Sequence, residues 1–147
     1  MTRTSTMLAV ALLATVVSAP VLSMAADTKP SLYERLGGTG PITAVVGKFV
    51  ANVAADKRIN GYFAKADIPN LKRQLVDQVC QASGGPCTYT GKDMKTTHKG
   101  MKITTAAFNA LVEDLVAALD TFNVPEQEKG ELLSVLGPMN KDIVEVP

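Results

Sequence analysis

The sequence predicts an all-α domain, on three observations. Apolar side chains recur at helical intervals through almost all of the chain after residue 30. The punctuation between these segments is glycine and proline rather than the dipeptides of hairpin turns. The stretch from about Ala26 to Pro147 also has the length of one small domain, with room for a single core and a ligand pocket.

Residues 1–25 are set apart from this domain. Arg3 is the only charge before Asp27, and an apolar run from Met7 to Val17 follows it. The run resumes at Val21 and Leu22 and ends at Ser23-Met24-Ala25, where small residues at the first and third places suit a signal peptidase. That order is the order of a secretory signal. The alternative is a retained anchor, but the unbroken apolar stretch is shorter than the roughly 20 residues that span a bilayer. The expected product is exported, periplasmic or secreted, with no membrane span once the signal is removed. Residues 26–30 form a short leader and 31–147 the folded domain. Without Arg3 the acidic and basic side chains balance, which disfavours nucleic acid or an anionic membrane as partner.

Each helix is legible in turn. Ser31 caps a short first helix through Leu36, Glu34 completes a capping box, and Gly37-Gly38 ends it. A second helix opens at Pro41 and carries the stripe Ile42, Val45, Val46, Phe49, Val50 and Val53. The stretch from Arg58 to Pro69 connects it to a third helix beginning near Asn70, because Pro69 pushes Ile68 out of helical geometry. Leu71, Leu75, Val79 and Ser83 mark one side of that helix, and Gly84-Gly85-Pro86 stops it. Asp93 to Lys99 is helical but very short, with Met94 and His98 four apart on one face. A long helix capped by Thr104 or Thr105 follows, carrying Phe108, Leu111, Val112, Leu115, Ala118, Leu119 and Phe122. The last begins at Pro125 and continues through Leu132, Leu133, Leu136, Met139 and Ile143, with a bend at Pro138.

Set in this order, Leu32-Tyr33-Glu34-Arg35-Leu36-Gly37-Gly38, Phe63, Gly84-Gly85-Pro86, Tyr89-Thr90-Gly91, Met94 and His98 resemble the group 1 truncated haemoglobins. The match runs from about Ser31 to Ile143. The resemblance implies a truncated globin, a two-over-two helical sandwich around haem whose proximal helix is reduced to about one turn.

It also implies the site. His98 takes the position of the proximal ligand, the only protein ligand to iron; read without the resemblance, a lone histidine on a helix is more often an ordinary surface or half-buried residue. Since His98 is the only histidine and no Cys-x-x-Cys-His occurs, the cofactor is expected to be haem b, held non-covalently. Phe63 matches the porphyrin-facing phenylalanine, and Met94, Ile103, Leu111 and Leu136 match apolar wall positions, side chains that plain helix packing would equally require. Lys72, Lys95 and Lys99 are candidates to meet the propionates. On the distal side the family's tyrosine position is Val50, and its two ligand-facing positions on the third helix are Leu71 and Leu75. None of these has a hydrogen-bond donor, which predicts fast oxygen release. Gln74 and Gln78 are neighbours that a small rotation would bring inward; the other reading leaves both in solvent.

Cys80 and Cys87 form a second constellation. A disulfide is the default in an exported protein, and inert thiols or a redox pair are the alternatives. Three functions stay open: reversible binding of a diatomic gas (oxygen, carbon monoxide or nitric oxide), haem redox catalysis such as nitric oxide oxidation or peroxidase turnover with an external reductase, and a haem-free helical interaction module. No flavin or nicotinamide motif is present, so any redox cycle depends on an outside reductase, and gas binding ranks first.

Overall fold

The structure, a computed structural model, describes residues 29–147, so the signal segment and most of the leader lie outside the described residues. Seven α-helices follow one another: α1 (Leu32–Arg35), α2 (Thr39–Ala55), α3 (Ile68–Ala82), α4 (Met94–His98), α5 (Thr105–Thr121), α6 (Glu126–Leu136) and α7 (Asn140–Ile143). Short 3-10 turns stand at Asn60–Phe63 and Gly137–Met139. Among the described residues there is no strand, only a single bridge between Thr104 and Val146. The helices pack as the two-over-two sandwich that the resemblance implies, with α2 on both α3 and α5, α1 on α6, and α4 on α7.

Helix ends follow local chemistry. Ser31 and Glu34 form a reciprocal capping box on α1, and the Thr104 side chain accepts from the Ala107 N–H at the start of α5. The third helix starts earlier than Pro69 predicts. Asp67 is its cap, accepting from the Asn70 N–H at 3.1 Å, and Pro69 falls in the first turn, where its missing N–H has no partner to lose. Pro138 interrupts the last helix as expected, by a 3-10 turn that re-aims the chain into α7.

The core is built on α2. Ile42, Val45, Val46, Phe49, Val50 and Val53 are all buried, and they meet Ala110, Ala118 and Leu119 of α5 and Leu132 of α6. Ala110 and Ala118 present only a methyl group each at this contact, which lets the two long helices approach closely. At the other end of α3 the chain turns sharply. A Cβ on Gly85 would sit 2.5 Å from the Tyr33 ring and 2.7 Å from the Cys80 sulfur, so only glycine fits there. Beside it Tyr33 N–H donates to the Ser83 carbonyl at 2.8 Å, tying α1 to the end of α3. Cys80 and Cys87 are joined as a disulfide with Cα atoms 5.7 Å apart, closing the Gly84-Gly85-Pro86 turn. No helix of the described residues is long and apolar enough to cross a membrane.

Candidate functional site

Between the two layers lies a largely apolar cavity of about 730 Å³, within the size range of small-molecule and cofactor pockets. Its walls come from six elements. Val45, Val46 and Phe49 line it from α2, and Phe63 from the 3-10 turn; Leu71, Gln74, Leu75 and Gln78 line it from α3, and Leu111, Leu115 and Leu136 from α5 and α6. Met94 and His98 close it from α4.

His98 is held by its own short helix. Its Nδ1 lies 2.7 Å from the Met94 carbonyl oxygen one turn earlier. A carbonyl only accepts, so Nδ1 carries the proton and a neutral ring leaves its lone pair on Nε2. A five-residue helix has little stability of its own, and its position is imposed from both ends. At the N-terminal end the Asp93 carboxylate accepts from the Thr96 N–H at 2.9 Å; hydrogen bonds from Thr96 hold that carboxyl below the usual range. Upstream, Gln81 Oε1 accepts from the Tyr89 N–H at 2.6 Å and the Tyr89 hydroxyl donates to the Lys92 carbonyl at 2.7 Å, so the segment after the disulfide is fastened to the end of α3. At the C-terminal end the Glu145 carboxylate accepts from the Gly100 and Lys102 N–H groups, at 2.7 Å each. These two donors, first among several causes, push the Glu145 carboxyl below the usual range.

On α3 Gln74 and Gln78 face the cavity, together with Leu71 and Leu75. The Gln78 amide nitrogen donates to the sulfurs of Met94 at 3.4 Å and Met139 at 3.5 Å, both weak acceptors. Gln74 is different, for its Oε1 is buried without any hydrogen-bond partner. An unsatisfied amide in an apolar wall is costly unless something in the cavity meets it.

Other expected positions lie away from the wall. Val50 is buried at 6% exposure but does not line the cavity, because it is one residue past Phe49 and therefore turned about 100° around α2. Ile103 is also buried off the wall, where its carbonyl accepts from the Glu145 and Val146 N–H groups. Lys72, Lys95 and Lys99 are exposed and none lines the cavity. The basic side chains at its wall are Lys92 and Arg35, and Arg35 is engaged by Glu128 and Glu131. Lys92 carries no signal in sequence, standing in a loop where spacing says nothing about direction.

These features fit a flat, apolar, iron-centred macrocycle with an anionic edge. The apolar walls match its faces, the Nε2 atom of His98 is a suitable axial donor, and Lys92 offers a cation at the wall. Gln74 adds an amide to this wall, with its Oε1 buried and unpaired.

Comparison with known proteins agrees with this arrangement. The family model for bacterial-like globins matches residues 31–145. The group 1 truncated hemoglobin of Tetrahymena thermophila is 35% identical over 114 residues, covering 78% of this chain and 94% of the relative. The group 1 truncated hemoglobin GlbN of Mycolicibacterium paratuberculosis is 34% identical over 113 residues, covering 77% of this chain and 83% of the relative. Among solved structures, truncated hemoglobin from Tetrahymena pyriformis in its Fe(III) form superposes with a TM-score of 0.76 at 33% identity, covering 78% of this chain and 98% of that one. The 2/2 hemoglobin from Synechococcus, crystallised in the cyanomet state with covalently attached heme, gives a TM-score of 0.74 at 30% identity, with coverage of 78% and 98%. By helix order, cavity and sequence alike, the chain belongs to the bacterial-like globin family as a group 1 truncated haemoglobin.

Proposed function

We propose that Nε2 of His98 would hold one haem b, non-covalently, and that the haem-loaded chain binds a diatomic gas reversibly. One observation supports this above the others: the only histidine of the sequence stands on the wall of an apolar cavity with Nδ1 already committed to the Met94 carbonyl. Ferrous haem supplies an open coordination position for oxygen, carbon monoxide or nitric oxide. The protein's part is to orient the imidazole, exclude water with the apolar walls and place Lys92 towards a propionate. With His98 engaged and both cysteines in a disulfide, neither residue type is left to attach the macrocycle covalently. Gln74 is the amide available to a gas in the cavity, since Gln78 is turned to two sulfurs.

Reversibility tests the reading. Reduced protein exposed to oxygen and then degassed is expected to return to its starting optical spectrum over repeated cycles. Conversion to the ferric form in a single pass would favour redox turnover with an external reductase instead.

Export is part of the proposal, supported by the signal-like residues 1–25 and by a disulfide, a bond that persists in oxidising compartments. The intact mass of protein recovered from the exported fraction is expected to match a chain beginning at Ala26 with Cys80 linked to Cys87. A full-length mass, or alkylatable thiols without reductant, would contradict it.

A further inference from the structure

The segment that follows His98 has an unusual backbone. Gly100 stands at φ +82° and Lys102 at φ +54°, the second a left-handed conformation that side-chain-bearing residues rarely adopt. Both N–H groups converge on one carboxylate, Gly100 on Oε1 of Glu145 and Lys102 on Oε2, each at 2.7 Å. The backbone around Glu145 joins in, for its N–H and that of Val146 donate to the Ile103 carbonyl at 2.9 and 3.1 Å, and Thr105 N–H donates back to Val146 at 3.1 Å. Ile143, two residues before Glu145, is buried at the end of α7, and α7 packs on α4. The C-terminal segment is thus clasped onto the strained loop that begins where the five-residue helix of His98 ends.

From this juxtaposition we infer that Glu145 is a positioning residue for the axial histidine: its carboxylate holds Gly100 and Lys102 at their positive φ and so keeps the His98 ring on the Met94 carbonyl. The inference rests on the haem reading above. Without the carboxylate, Lys102 loses the acceptor that meets its N–H in the left-handed turn, and the cost of a positive φ favours its return to ordinary backbone geometry. The last turn of α4 then has no fixed exit, because the Met101 N–H to His98 carbonyl bond at 3.1 Å belongs to the same loop. The Nδ1 bond to Met94 loosens with it. That bond sets the electron richness of the ligating nitrogen, so the effect reaches the iron without Glu145 touching it.

The test uses Glu145→Ala and Glu145→Gln in the whole protein, with two readouts. In the haem-free protein, amide exchange at Gly100 and Lys102 is expected to rise about tenfold or more in the alanine variant, as expected for loss of a charge-assisted bond. In the ferrous haem protein, the iron–histidine stretching band is expected to shift and broaden in Glu145→Ala and to change less in Glu145→Gln, which keeps one acceptor. Adding Lys102→Gly to Glu145→Ala is expected to narrow the band again, because glycine adopts the left-handed turn without help. Alanine-variant protein with native helix content and an unchanged band would overturn the inference alone; should that variant not fold, an unchanged band in Glu145→Gln does the same. Wild-type protein without any iron–histidine band would overturn the haem reading and the inference with it.

Discussion

Replacing His98 with alanine is expected to weaken haem retention by more than about a hundredfold, since loss of a mere hydrogen-bond partner behind a metal ligand already costs ten- to a hundredfold. The variant also leaves a space whose remaining polar group is the Met94 carbonyl, formerly met by Nδ1 at 2.7 Å. Added imidazole satisfies that acceptor with one nitrogen and presents the other to the iron, so it is expected to restore a five-coordinate ferrous spectrum in part. Haem loss measured against a scavenging apoglobin, with and without imidazole, checks both halves. Unchanged retention would mean that the apolar walls alone hold the macrocycle and that His98 is an ordinary half-buried residue.

Gln74→Leu is expected to raise the oxygen dissociation rate about tenfold or more while changing carbon monoxide release far less. Oxygen as a ligand to ferrous iron draws partial negative charge and gains from a donor, about 1.5 to 3 kcal/mol when the acceptor is charged, whereas carbon monoxide is nearly apolar. The Gln74 side chain lines the cavity and carries two N–H donors beside its unpaired oxygen, so it has a donor to offer an acceptor held there. The same substitution is expected to leave the haem-free protein equally or more stable, by about 1 kcal/mol, because it removes a buried acceptor without a partner. Opposite signs for function and stability set this residue apart from a packing residue. Gln78→Leu is expected to do less to oxygen, its amide being turned to Met94 and Met139. Stopped-flow release rates for the two gases, with urea melts of the apoproteins, separate the cases. Slow release preserved in Gln74→Leu and lost in Gln78→Leu would reverse the assignment.

Much of the fold was legible because it is local. Ser31 with Glu34, Thr104 before α5 and Pro138 within the last helix act within a turn of their own positions, and the structure has each where its chemistry puts it. Asp67 is harder to read: proline restricts the residue before it, which argues against a helix at Ile68, but the first turn of a helix tolerates proline, and the aspartate two residues earlier supplies the cap. His98 was found by resemblance rather than by its surroundings in sequence, and its orientation came only with the Met94 bond.

The distal face was the hardest part to read. Matching positions along the chain brings Val50, Leu71 and Leu75 to the ligand and predicts a pocket without donors. Helical rotation decides otherwise, for it turns Val50 off the wall and admits Gln74 and Gln78 beside the two leucines. Lys92 and Glu145 are silent in sequence on different grounds. The first hangs on a loop fastened by Tyr89, and the second acts on Lys102 at a sequence separation of 43, a contact that no period or motif encodes.

Titration of haem into the purified wild-type apoprotein, followed at the Soret band and then reduced under nitrogen and under carbon monoxide, tests the cofactor assignment most directly. One haem per chain is expected, with a sharp end point, a five-coordinate ferrous spectrum under nitrogen and a shifted Soret band under carbon monoxide. A titration without saturation, or a ferrous spectrum that carbon monoxide leaves unchanged, would contradict the assignment of this cavity to haem held by His98.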